Sequence, residues 1–309
     1  MKILVTGGAG FIGSNVVDRY IAEGHEVAIV DNLDTGRREN LNPQASFHEL
    51  SITDAEALAA VFEAEQPEVV NHHAAQMDVR RSVREPQFDA QTNIVGTLNV
   101  IEAGRSVGAR KFIFSSSGGA IYGQADVIPT PESAPLQPIS HYGASKLAGE
   151  VYFGLYARLY GLETTVLRYA NVYGPRQNPH GEAGVNAIFA NMMLRGETPT
   201  IFGKGDKTRD YVFVGDVVEA NARALTLGDG GIFNIGTGVE TADQEVYDAV
   251  AAAVGYEEPA NYGEERAGDV RRSCVDPSKA GEVLGWQATV EFREGVRRTV
   301  EYQREKEIG

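Results

Sequence analysis

The sequence predicts an α/β fold, a doubly wound parallel sheet with a smaller mixed α/β C-terminal portion, on three observations. An apolar run, Ile3-Leu4-Val5, enters a glycine-rich turn, Thr6-Gly7-Gly8-Ala9-Gly10-Phe11-Ile12-Gly13, that opens a helical pattern through Glu23. Strand-like and helix-like segments then alternate as far as Leu167, as in a parallel sheet with helices on both faces. Beyond Arg168 the alternation loosens, and Pro, Gly and Asn gather between Asn171 and Gly184.

The glycines fit both G-x-G-x-x-G, at 8, 10 and 13, and G-x-x-G-x-x-G, at 7, 10 and 13. Either register gives a tight turn, close backbone approach to a pyrophosphate and a helix N-terminus aimed at the anion, the Rossmann-type nucleotide-binding unit. The second strand, Val27 to Val30, ends in Asp31, at the spacing of the carboxylate that binds adenosine ribose hydroxyls. An acid there repels a 2′-phosphate and favours NAD over NADP. Arg37 and Arg38 weaken that preference a little and read as solvated loop charges.

A strand near Phe47 to Leu50, a helix from Asp54 to Glu65, a strand Glu68 to His72 and a long helix from Pro86 to Val107 continue the alternation. A strand Lys111 to Phe114, a helix carrying Tyr142 and a strand Thr164 to Leu167 complete it. Right-handed crossovers put all the strand C-termini on one edge, so the turn at Gly7, the Asp31 end, the segment after His72 and the serines after Phe114 converge on one crevice. Helices near Ala187 to Arg195, Asp216 to Leu227 and Asp243 to Val254, with a strand Gly231 to Ile235, follow. The division expected is 1–170 for the NAD-binding domain, with a return segment near 211–236, and 171–309 for a substrate domain packed on it.

Composition bounds the chemistry. An apolar content of 42% and a charged content of 23% are those of a globular chain. No apolar run reaches the length of a membrane span, and the N-terminal run is too short for a signal peptide. The lone Cys274 excludes an internal disulfide and fits a cytoplasmic location. A net charge of −15 argues against nucleic acid as a partner and leaves any anionic ligand to a few local cations. Only 7 of the 28 basic residues are lysine; with the acid excess this suits a salt-rich habitat, and a GC-rich genome gives the same bias. His72 and His73 have no third metal ligand near them, and adjacent strand residues face opposite ways, so no metal is expected.

Tyr142 and Lys146 stand four residues apart on one helical face, a phenol beside an ammonium able to stabilise its phenolate. With 13 Tyr and 7 Lys, roughly 0.3 such pairs are expected by chance, and two occur. Tyr302 and Lys306, in the charged C-terminal tail, read as exposed neighbours. Tyr142 opens a helix after a strand-end serine run, in a chain with a dinucleotide turn upstream.

Together with Asp31-Asn32-Leu33, His73-Ala74-Ala75-Gln76, Asn93-Ile94-Val95-Gly96-Thr97, Ser115-Ser116-Ser117-Gly118-Gly119, Leu167 to Arg176, Thr208 to Val212, Asn234 to Gly238 and Arg266-Ala267-Gly268-Asp269, these motifs resemble the extended short-chain dehydrogenase/reductase family. Within it the resemblance is to the UDP-glucose 4-epimerase (UDP-galactose 4-epimerase) branch, over nearly the whole chain. It implies NAD-dependent epimerisation at C4 of a UDP-hexose through a transient 4-keto form, by a homodimer formed through the helices Pro86 to Val107 and Tyr142 to Tyr160. Tyr142 is then the base and acid, Lys146 lowers its pKa and holds the nicotinamide ribose, and Ser117 or Ser116 bonds the reacting oxygen. The implied cofactor contacts are Gly7, Gly10, Phe11, Ile12, Gly13, Asp31, Asn32, Ser51, Ile52, Ala74, Ala75, Asn93, Ser115, Tyr142, Lys146 and Tyr169. The implied substrate contacts are Ser117, Tyr142, Asn171, Thr200, Phe202, Arg209, Tyr211, Arg266, Asp269 and Cys274, with Arg209 and Arg266 on the diphosphate.

Three departures stand out. Ser51 replaces a frequent aspartate, His73 a frequent leucine, and the small Cys274 aligns with a residue that walls the sugar pocket, leaving room for an N-acetyl group. The rival readings are a nucleotide-sugar 4,6-dehydratase or decarboxylase and a catalytically silent dinucleotide sensor. A dehydratase needs an acid and a base where this chain has Gly118-Gly119, and silent relatives lose the tyrosine or lysine that are present here.

Overall fold

A computed structural model describes residues 1–179, 184–265 and 270–308. The first half runs β1 (Lys2–Thr6), α1 (Phe11–Ala22), β2 (Glu26–Asp31), β3 (Ser46–Glu49), α2 (Ala55–Glu65), β4 (Val69–His72) and α3 (Val79–Arg84). There follow α4 (Pro86–Ala90), a π turn (Gln91–Val95), α5 (Gly96–Ser106), β5 (Lys111–Ser117), α6 (Gly118–Ile121), α7 (His141–Tyr160) and β6 (Glu163–Tyr169). The second half comprises β7 (Asn171–Tyr173), α8 (Val185–Leu194), β8 (Thr200–Phe202), β9 (Thr208–Arg209), β10 (Tyr211–Phe213), α9 (Val214–Ala224) and β11 (Ile232–Ile235). It ends with β12 (Thr241–Ala242), α10 (Asp243–Val254), β13 (Asn261–Gly263), β14 (Arg272–Ser273), α11 (Ser278–Leu284) and α12 (Phe292–Ile308).

Seven strands form one parallel sheet in the order β11-β6-β5-β4-β1-β2-β3. Period-2 alternation sorts β1 between the two faces: Ile3 and Val5 pack with Val17, Tyr20 and Trp286, while Leu4 packs with Phe62, Val100, Phe112 and Phe153. A third core, with Tyr173, Phe189, Tyr247 and Val300, joins α8, α10 and α12. Small two- and three-stranded ladders tie this part together, including β7 with β10 and β9 with β14.

Two features depart from the expected elements. The helix predicted from Pro86 to Val107 runs from Pro86 to Ser106 and carries a π turn at Gln91–Val95, within which Asn93 is 3% exposed. The serine run is strand, not loop: Ser115, Ser116 and Ser117 pair with Leu167, Arg168 and Tyr169, so their side chains alternate across the sheet.

Helix α7 starts at Ser140, whose side chain accepts the Gly143 N–H at 3.1 Å, and stops at the left-handed Gly161. Its close seat on the sheet needs Gly149, where an added Cβ would lie 2.6 Å from the Phe114 ring. That contact places the first turn of α7 against the end of β5. Among the described residues, no helix is long and apolar enough to cross a membrane.

Candidate active site

A cavity of about 590 Å³ runs along the C-terminal edge of the sheet, lined by residues that follow β1, β2, β3 and β4, by the ends of β5 and β6, and by α7. This is where the strand order reverses and a parallel sheet offers its crevice.

One end is built for a dinucleotide. Helix α1 begins at Gly10 with no side-chain cap, leaving its first N–H groups for an anion. Gly13 packs so near the turn that a Cβ there would lie 2.2 Å from the Gly7 carbonyl oxygen. Asp31 is 7% exposed; its Oδ2 accepts the Ala9 N–H at 3.0 Å and its Oδ1 the Leu33 N–H at 2.8 Å. Burial raises its pKa and those two N–H groups oppose the rise. A carboxylate held this way keeps lone pairs for ribose hydroxyls and repels a 2′-phosphate. Arg37 reaches Asn178 at 3.2 Å and Arg38 pairs with Glu49, so neither turns toward Asp31. Gly7, Phe11, Ile12, Asn32, Ser51, Ile52, Ala74 and Ala75 line the same stretch. These residues fit NAD.

At the other end Tyr142 and Lys146 face Ser115, Ser116 and Ser117. The Ser117 side chain lies beside the Tyr142 hydroxyl, close enough to draw its pKa down. Lys146 is 5% exposed, donates to the Ser115 carbonyl at 2.9 Å, and sits 5.9 Å from the centre of the Tyr142 ring. Burial pushes the Tyr142 phenol up to about 12 against the pull of Ser117. Burial likewise brings Lys146 down to about 8, with Asp89 and Glu150 opposing. In the protein alone burial is the largest influence on the phenol.

Ser116 is turned to other work. Its hydroxyl donates to Glu150, which is in a two-pronged ion pair with Arg168, at 2.9 Å from Nε and 2.6 Å from Nη2. Arg168 also donates to the Tyr122 hydroxyl at 2.8 Å, and Tyr122 donates to Asn234 at 2.8 Å. This buried network links β5, α7, β6 and β11 directly under the cavity.

Residues 3–236 match the NAD dependent epimerase/dehydratase family. The chain belongs to that family. It is 50% identical, over 99% of each chain, to a UDP-glucose 4-epimerase of Mycolicibacterium smegmatis. Its structure resembles the UDP-glucose 4-epimerase of Thermotoga maritima solved with UDP-glucose, with a TM-score of 0.98 and 53% identity over 99% of each chain. It also resembles the UDP-glucose 4-epimerase of Thermus thermophilus in complex with NAD, with a TM-score of 0.94 and 45% identity over 98% of this chain and 99% of that one. NAD is the cofactor of the family, as the Asp31 pocket requires.

The remaining expected site residues divide. Tyr169, Asn171 and Arg209 line the cavity. Asn93 lies behind its wall rather than on it, and Thr200 and Phe202, on β8, are not part of the lining. Tyr211 is buried in the C-terminal core, edge-on to Tyr173. Cys274 is 1% exposed, with Sγ 3.9 Å from Asp210, and does not wall the cavity. Its neighbour Ser273, the last residue of β14, is in register with Arg209. Arg266 and Asp269 lie outside the described residues.

His72 is held between Thr6 (2.6 Å) and Thr97 (2.9 Å), while His73 stacks on Tyr169 with ring centres 6.3 Å apart. Among the described residues no group of three or more His, Cys, Asp or Glu could hold a metal ion. The sequence reading missed Asp89, Glu150 and Arg168. A signal was available for the last two, since Arg168 interrupts a buried strand and Glu150 stands one turn from Lys146, and buried charges are paired.

Proposed function

We propose that this chain interconverts UDP-hexoses at C4, the activity named for the relatives that cover its full length. The observation that carries it is the meeting of Ser117, Tyr142 and Lys146 at the inner end of an NAD cleft that continues past Asn171 to Arg209. NAD, when bound, accepts a hydride from the sugar C4 and returns it. Tyr142 takes the proton from the 4-hydroxyl as the 4-keto form appears and gives it back to O4 when the ketone is reduced on its other face. Ser117 holds that oxygen, and Lys146 stabilises the phenolate and the nicotinamide ribose. Arg209, with Arg266, grips the diphosphate in the planar, multi-donor manner of arginine while the sugar turns over. Residues 1–170 with the 211–236 segment act as the cofactor domain and 171–309 as the nucleotide-sugar domain.

Gly118 speaks against the dehydratase. A Cβ there would lie 2.9 Å from Val275 Cγ1, so the position has no space for the acidic side chain that route needs. Cys274 is buried beside Asp210, outside the cavity lining. The exposed apolar side chains of Phe88 and Val95 on the Pro86–Ser106 segment and of Val151 and Leu159 on α7 support a homodimer. A single buried thiol suits a cytoplasmic place in nucleotide-sugar metabolism.

Incubation of the purified protein with UDP-galactose, without added NAD, is expected to yield UDP-glucose. The Tyr142→Phe protein should lose at least about 10²-fold in rate while keeping its fold. Cofactor binding without turnover of any nucleotide sugar would instead identify a sensor.

A further inference from the structure

Lys146 is a buried ammonium that donates to a carbonyl oxygen, that of Ser115, rather than to a carboxylate. Burying a charge without a counter-charge is costly. Glu150, one turn further along α7, is already committed to Arg168 and Ser116. The other carboxylate at hand is Asp89 on α4, 1% exposed, whose Oδ1 accepts from two neutral carboxamides, Gln76 at 2.9 Å and Asn93 at 3.1 Å.

Those carboxamides lead to the reacting groups. Asn93, within the π turn, also donates to Ser145 Oγ at 3.2 Å, and Ser145 Oγ donates to the Tyr142 carbonyl at 2.9 Å. The Asn93 amide further exchanges two hydrogen bonds of 2.8 Å with the Gln76 backbone, on the loop that lines the cavity after β4.

We infer that Asp89 is a positioning residue of this reaction centre: its buried charge balances Lys146, and through Asn93 and Gln76 it holds the first turn of α7 against the cofactor loop. The inference rests on Tyr142 and Lys146 being the reacting pair. The charged and titratable groups facing them are Asp89 from α4, Glu150 from α7, Arg168 from β6, and His72 and His73 at the end of β4. Arg168 is neutralised by Glu150. Both histidines are held neutral, by burial first and the Lys146 charge second, His73 down to about 3. Burial lowers Lys146, and Asp89 opposes this more strongly than Glu150 does. Asp89 raises the Tyr142 pKa as well.

Asp89→Asn keeps an oxygen to accept from Gln76 and Asn93 but deletes the charge. Loss of a negative charge favours phenolate and disfavours ammonium, so both pKa values fall. Both limbs of the kcat–pH profile should move down by roughly 0.5–1 pH unit, and the Tyr142 phenolate, read as the ultraviolet difference from a Tyr142→Phe partner, should titrate lower by a similar amount without substrate. Asp89→Glu should restore most of the profile. A kcat reduced equally at every pH, with neither limb nor the phenolate titration displaced, would overturn the inference. If Asp89→Asn does not fold, Asp89→Ser deletes the charge with a smaller side chain and must move both limbs downward; unmoved limbs reject the inference. A displaced phenolate titration in a protein that turns over no UDP-sugar supports the role of Asp89 and rejects the proposed reaction.

Discussion

Ser116 and Ser117 are neighbours on one strand with opposite tasks, because consecutive strand residues face opposite sides of the sheet. Ser117 reaches the Tyr142 hydroxyl, whereas Ser116 completes the acceptor needs of Glu150 beneath it. The pair therefore separates kinetics from stability. Ser117→Ala should lower kcat by about 10- to 100-fold with little change in Tm. Ser116→Ala should leave kcat within a few-fold and cost about 1 kcal/mol in urea unfolding. The reverse pattern would move the reacting oxygen to Ser116. The choice between them stayed open in the sequence because three serines in a row carry no mark of which way each faces.

At the scale of elements, the site depends on how α7 and the Pro86–Ser106 helix meet the sheet. The π turn is a local widening of that helix, within which Asn93 meets Gln76, Asp89 and Ser145 at once. A comparable junction stabilises the opposite rim. Glu65 closes α2 by accepting from His48 at 2.6 Å and Ser46 at 2.9 Å and by pairing with Lys2 at 3.0 Å, which ties α2 to β1 and β3. Burial raises the Glu65 pKa, and the His48, Lys2 and Ser46 contacts outweigh this and bring it to about 2. A folded pKa below the usual 4.5 means that the stabilisation is complete above that value and is lost as pH falls toward 2. Glu65→Gln should cost about 1–3 kcal/mol in urea unfolding at pH 7. The difference from the parent should shrink steadily through that acid window; a difference unchanged at pH 3 would exclude the charge contribution.

At the scale of the molecule, a net charge of −15 opposes compaction. The exposed ion pairs, such as Arg297 with Glu294 and Arg19 with Glu23, are individually weak. Raising salt from about 0.1 to 1 M shortens the screening length from roughly 10 to 3 Å, which should relieve more repulsion than it removes attraction. Melting curves are expected to shift upward with NaCl, and a downward shift would show that the pairs dominate. The same charge balance leaves the proposed anionic ligand to a helix N-terminus and a few local cations.

The sequence by itself determined the nucleotide-binding half. A glycine turn, a following helix and an acid at the end of the second strand are local requirements of backbone geometry, and local requirements leave local marks. The Tyr142–Lys146 pair was legible for the same reason, as a helical spacing. Only the tertiary structure decided what surrounds that pair. The outward turn of Ser117, the inward turn of Asn93, the burial of Cys274 and Tyr211, and the meeting of Glu150 with Arg168 and of Asp89 with the α7 turn all join segments far apart in the chain. Those contacts depend on which faces pack together and on what desolvation then does to each charge, which no single stretch of residues records.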